Sequence, residues 1–144
     1  MRWIPPGCLY DSGGPGVFVD NQKADFLLAC MNSSPASMLL KILNPTINLQ
    51  IADVVRLPLP HALSNVDKGR VSLIAKELVA VSKADWDSVE TSWDFKELQW
   101  LRSGVRAGSI QMAWTQLNSS ANERIANVKL LEEVNNRIFI NAYG

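Results

Sequence analysis

"LNPTINLQIADVVRLPLP", Leu43 to Pro60, decides how the chain is divided, because here the apolar period changes from helical to two. Ile47, Leu49 and Ile51 alternate with Asn48, Gln50 and Ala52, the pattern of a strand with one buried face. Just ahead of it Asn44 falls past the end of a helix, and Pro45, which has no N–H to donate, prevents the helix from continuing. Asp53 can cap a single turn, "DVVR". The two prolines of "LPLP" then exclude a central strand position and imply an extended edge. The stretch therefore predicts a helix stop, a one-sided strand and a proline-marked exit.

Upstream, "CLY" and "VFV" stand on either side of "DSGGPG", whose glycines supply positive φ, so a hairpin is predicted there. A phosphate-binding loop would need a following helix with Lys and Ser or Thr at fixed spacing, and "VFVD" follows instead. From Asn21 the pattern turns helical, with Asp20 or Asn21 as cap and Phe26, Leu27 and Cys30 on one buried face. "NSSPAS" ends that helix and starts another, with Ser34 as cap, Pro35 at the first position and Met38, Leu39 and Ile42 buried.

Downstream, Ser64 or Asn65 caps a helix in which Val71, Ile74, Ala75 and Leu78 share a face. Trp86 and Trp93 are seven residues apart, so on one helix they would share a face too. The last third repeats Ile110, Trp114, Leu117, Ala121, Ile125, Val128, Leu131, Val134 and Ile138 at steps of three and four. A helix of about 30 residues would be about 45 Å long, too long to bury alone, so it needs a partner helix from Asn65 to Ser82 or from another chain. "NSSAN", Asn118 to Asn122, is its weak point. The predicted fold is α+β and mostly helical, a small N-terminal hairpin and strand-helix unit over 1–60 followed by long amphipathic helices over 61–144.

The 144 residues are 47% hydrophobic and 19% charged, which reads as globular. No apolar run approaches the ~18 residues of a membrane span, and the N-terminus lacks the apolar core of a secretory signal, so the cytoplasm is expected. Fourteen basic residues balance fourteen acidic ones, so any DNA contact must come from a local patch or from the rest of a larger protein. Cys8 and Cys30 lie far apart, without a CxxC or a nearby His, and read as two buried reduced thiols; no metal site is predicted.

The sequence holds no GxSxG, P-loop, HExxH or GxGxxG motif, and His61 has no motif to supply a catalytic partner. Asp85, Asp87, Glu90 and Asp94 read as capping and solvating a helix. Asn44-Pro45-Thr46-Ile47 falls short of the Asn-Pro-Pro-aromatic tetrapeptide of amino methyltransferases, since no aromatic is present to stack on a flipped base. No glycine-rich turn precedes it to hold S-adenosylmethionine. No catalytic residue is assigned, and the chain alone is not expected to be an enzyme.

"CLYDSGGPGVFV", "FLLACMNSSPASMLLKILNPTINLQIADVVRLPLP", "SKADWDSVETSWDF" and "NNRIFINAYG" occur in this order. The pattern is similar to the C-terminal part of the large adenine-specific DNA methyltransferases of BREX phage-defence systems (PglX-like) and their type IIG restriction-modification relatives. The order of elements is also similar to that in the specificity subunits of type I restriction systems. The resemblance implies that residues 1–60 are the end of a target-recognition domain and 61–144 a helical spacer. It places catalytic and cofactor motifs in a portion upstream, so S-adenosylmethionine is implied for the parent protein and no cofactor for this segment.

The resemblance also makes the loop and strand from Asn44 to Gln50 the expected DNA-facing positions. Asn44, Thr46, Asn48 and Gln50 have side chains suited to base edges, and Lys41 and Arg56 flank them as phosphate contacts. On chemistry alone, the same polar residues equally suit the outer face of an edge strand. The expected partners are duplex DNA and the rest of the parent methyltransferase or other defence proteins, with self-association through the long helix and no membrane. A second reading is a small helical interaction module that binds a protein partner through the long helix and Trp86, Trp93, Trp100 and Trp114.

Overall fold

A computed structural model describes residues 1–9, 16–46, 48–61, 63–101 and 108–144, with the backbone alone at 21 and 22. Its elements are α1 (Asn21–Met31), α2 (Ser34–Leu43), α3 (Ile51–Arg56), α4 (Asn65–Trp86), a 3-10 turn at Gln99–Leu101, and α5 (Ile110–Tyr143). Among the described residues there is no strand, so the expected α+β fold gives way to an all-helical one. The turn of the expected hairpin lies outside the described residues, and its flanks, Cys8 and Leu9 on one side and 17–19 on the other, are not strand.

The expected strand fails for a local reason. Ile47 lies outside the described residues, 48–50 are irregular, and Ile51 is already the first residue of α3. The Asp53 carboxylate accepts from the Gln50 backbone N–H at 2.9 Å, satisfying a donor that a strand would have had to pair with a neighbour. With the helix nucleated from its first turn, the alternation of three apolar residues has no second strand to face.

The starts of α2, α4 and α5 each have a serine cap, whereas Asp20, at the N-cap of α1, makes no side-chain cap bond. Ser33, not Ser34, is the N-cap of α2: its hydroxyl accepts from Ala36 N–H at 3.4 Å and donates to the Cys30 carbonyl at 2.6 Å, and Pro35 falls within the first turn. Ser64 Oγ accepts from Asp67 N–H at 3.1 Å to open α4, as its spacing predicts. Ser109 does the same for α5, accepting from Met112 N–H at 3.2 Å. The α1–α2 corner bends the chain by 69°, and no single helix among the described residues is long and apolar enough to cross a membrane.

The chain divides into two compact units, 1–76 with 132–144, and 77–131, with the boundaries inside α4 and α5. In the first, Ala29, Cys30, Leu63, Val71, Ala75 and Phe139 form one core, joined by the half-buried Phe26, Ile138, Ala142 and Tyr143. Phe139 is fully enclosed, with its ring centroid 6.0 Å from that of Phe26; burying a side chain of this kind contributes roughly 1.5–3 kcal/mol. A second cluster joins Met31, Ala36 and Leu57 with Leu27, Leu39, Leu40 and Val54, which packs α2 on α3. α2 therefore buries Ala36 and half-buries Leu39 and Leu40, leaving Met38 and Ile42 exposed against expectation. Cys30 is buried as expected, whereas Cys8 is exposed.

In the same unit, Asn135 Nδ2 donates to the Ala29 carbonyl at 3.1 Å, and Asn136 Oδ1 accepts from Ser34 N–H at 2.8 Å. Both bonds satisfy groups left open at the α1–α2 corner, where the helical ladder stops.

The second unit buries little; Ser92 and Ala113 alone among its described residues are enclosed. α4 ends at Trp86, so Trp86 and Trp93 do not share a helix, and a run of turns follows. Trp100 and Trp114 stack with centroids 5.7 Å apart and planes 14° from parallel. α5 passes through "NSSAN" without a break.

Candidate nucleic-acid interface

The six expected contact residues lie between the end of α2 and the end of α3. Lys41 is in the last turn of α2 and Arg56 in the last turn of α3, where their charge complements the helix dipole. Both are exposed, and neither forms an ion pair among the described residues. Thr46, Asn48 and Gln50 are exposed in the connection between the helices, and Asn44 is half-buried.

Asn44 ends α2, its backbone N–H donating to the Leu40 carbonyl at 2.8 Å. Both ends of its side-chain amide are engaged. Nδ2 donates to the Asn48 carbonyl at 3.0 Å and to Asp53 Oδ2 at 2.6 Å, while Oδ1 accepts from the Thr46 N–H at 2.9 Å and the Thr46 hydroxyl at 2.5 Å. This is an Asx turn extended into a closed network, and proline at 45 keeps Asn44 in the extended backbone the turn needs.

Asp53 is the centre of that network. It is nearly buried, and the Asn44 amide first and the Gln50 N–H second hold its carboxyl below the usual carboxylate range. The sequence reading found Asp53 as a cap but not its grip on Asn44 nine residues earlier. The available signal was the Asn-Pro-Thr order, in which a residue two places on can close onto the Asn side chain.

The geometry sorts the six residues by availability. Asn44 can meet a base edge only by giving up bonds inside the turn. Thr46 is exposed but spends its hydroxyl proton on Asn44. The Asn48 side chain projects from a loop whose backbone the network fixes, and its own amide makes no bond among the described residues. Gln50 stands beside it at the start of α3, exposed. Asn48 and Gln50 are thus an exposed amide pair, with Lys41 before them and Arg56 after them in the chain. Met38, Ile42, Ile51 and Val55 are also exposed on α2 and α3.

No protein-family model matches the chain. It is 35% identical, over 147 aligned residues covering 99% of its length, to the adenine-specific methyltransferase PglX of Lacticaseibacillus casei (strain Zhang). It is 28% identical, over 141 residues covering 96% of its length, to the adenine-specific methyltransferase BrxX of Escherichia coli O9:H4 (strain HS). The chain is homologous to these methyltransferases along nearly all of its length, which bears out the PglX-like resemblance read from its motifs. It spans only 12% and 11% of the two relatives' own lengths. No solved structure matches.

Proposed function

We propose that the chain is a non-catalytic segment of a site-specific N6-adenine DNA methyltransferase of a phage-defence or restriction-modification system. Residues 1–60 serve as the end of a target-recognition domain and 61–144 as a helical spacer. The observation that carries this reading is homology to adenine-specific methyltransferases along nearly the whole chain but over about a tenth of each relative. In this reading S-adenosylmethionine and the transfer chemistry belong to other parts of the parent protein, which works in the cytoplasm. The partners are duplex DNA and the remainder of that protein.

Within the segment, Asn48 and Gln50 read base edges, and Lys41 and Arg56 hold phosphates. Thr46 and Asn44 shape the loop, and either can contribute a contact once DNA competes for its bonds. Zero net charge is consistent with a segment that contributes a small patch to a larger DNA-binding surface.

The test is duplex binding by the full chain, followed by fluorescence anisotropy at increasing salt. Lys41→Ala with Arg56→Ala should weaken binding about equally for all sequences and flatten the salt slope by about two, one for each phosphate contact. Binding indifferent to salt and to both substitutions would remove the recognition role.

A further inference from the structure

α3 has an inner side and an outer side. Asp53 is nearly buried and Val54 is half-buried against Met31, Ala36 and Leu57, whereas Ile51, Ala52, Val55 and Arg56 are all exposed. At 3.6 residues per turn those four cover an arc of about 140°. Within it Ile51 and Val55, four residues apart, lie one above the other and are 68% and 78% exposed. Two branched apolar side chains thus face outward, with the exposed Gln50 just before them and the exposed Arg56 just after.

The charge of this stretch says what kind of partner meets them. Between Asp25 and Asp67 the chain holds a single carboxylate, Asp53. Its Oδ2 is turned inward, accepting from the Asn44 amide at 2.6 Å and the Gln50 N–H at 2.9 Å. Lys41 and Arg56 are exposed and form no ion pair among the described residues. The outer surface of α2 and α3 therefore presents cations and no carboxylate, in a chain whose charges balance as a whole. Such a surface complements an anionic partner.

Among anionic partners, duplex DNA suits the uncharged residues as well. In the major groove an A·T pair shows the adenine N6 and N7 groups and, on the same pair, the apolar C5 methyl of thymine, which a G·C pair lacks. An amide followed directly by a branched apolar side chain, as in Gln50-Ile51, offers one group to each. A lipid surface would give the Asn48 and Gln50 amides no base edge to meet, and two side chains on a helix this short are a small apolar area for insertion.

We propose that Ile51 and Val55 are specificity-determining residues that read thymine methyl groups in the major groove, so that the target has A·T pairs where α3 faces it. This rests on the DNA-recognition role proposed for the segment and adds to it which base pairs are favoured and by which side chains.

The test measures binding of the full chain, by fluorescence anisotropy, to a short duplex of mixed A·T sequence and to the same duplex with deoxyuridine in place of every thymidine. The two differ only in the C5 methyl groups. The thymine duplex should bind more tightly, by about four-fold for each methyl that the two side chains cover. Ile51→Ala with Val55→Ala should weaken binding to the thymine duplex much more than to the uracil duplex and bring the ratio near one. The native chain gives that ratio without any substitution, so a folding defect in the variant would not hide the answer. Equal, salt-sensitive binding of both duplexes by the native chain would overturn this inference and leave the phosphate contacts standing. A thymine preference that survives both substitutions, tighter binding to phosphatidylglycerol vesicles than to either duplex, or a self-association that the substitutions abolish would overturn it too. Binding to neither duplex would remove the recognition role itself and this inference with it.

Discussion

The side-chain amide of Asn44 donates to the Asp53 carboxylate at 2.6 Å, tying the residue that ends α2 to the third residue of α3. The bond is why the connection between the two helices has one shape. It also makes that shape sensitive to acid.

Asp53 titrates below its ordinary 3.8 because the Asn44 amide and the Gln50 N–H favour its charged form. A carboxyl group depressed in the folded state stabilises the fold above its unfolded value, and that contribution is lost as pH falls through the folded value. The stability difference between the native chain and Asp53→Asn should therefore be widest near neutrality and shrink below about 3.8, as urea midpoints measured across pH would show. Asn44→Ala should return the Asp53 carboxyl titration, followed by carbon NMR, toward its ordinary value.

Asn135 is buried, donates to Ala29 across 106 residues of chain, and leaves its own Oδ1 without a partner. Asn135→Ala strands the Ala29 carbonyl at the end of α1 and should cost about 1–3 kcal/mol in chemical denaturation. Asn135→Asp should cost more at neutral pH, since it adds an unpaired buried charge to the lost donor.

Phe139 and Ile125 lie on the same helix and differ in surroundings. Phe139→Ala opens a cavity in the core of the first unit and should cost about 3–5 kcal/mol. Ile125 is 65% exposed, so Ile125→Ala should stay within about 0.5 kcal/mol. Equal losses would mean that the α5 face is assigned wrongly.

Cys8 is exposed and Cys30 buried, and burial pushes the Cys30 thiol up. Ellman's reagent should modify Cys8 at once and Cys30 only at the rate at which the first unit opens. The Tyr143 hydroxyl donates to the Pro58 carbonyl at 2.7 Å, and its ionisation is pushed well above the ordinary 10.0, chiefly by burial. A group raised in the folded state stabilises the fold below its unfolded value and loses that as pH rises. Alkaline unfolding should therefore begin above pH 10 and be less steep for Tyr143→Phe.

Much of the helical layout was legible in the residues. Ser64, the Ser-Ser-Pro order before α2, the proline after Asn44 and the step of three and four in α5 are local signals whose physical causes lie within one or two turns. The reading of faces held in part. Of the α5 stripe, Leu117, Ala121, Val128, Leu131, Val134 and Ile138 are half-buried, whereas Ile110, Trp114 and Ile125 are exposed and the enclosed Ala113, Asn135 and Phe139 fall beside it. A period gives the spacing of a stripe, but the packing around a helix decides where along it, and on which flank, burial is complete.

The candidate site shows the same division. Polar residues between two cations were visible at once, but their availability was not, because it depends on a carboxylate closing onto an amide nine residues away. The sequence by itself determined the start of α4 and the end of α2, since a capping serine and a proline act on backbone groups within reach of their own side chains. Only the tertiary structure decided that Leu43 to Pro60 is a capped turn and a short helix. An alternation of three apolar residues becomes a strand only when another strand takes up its backbone bonds, and here Asp53 takes up the first of them.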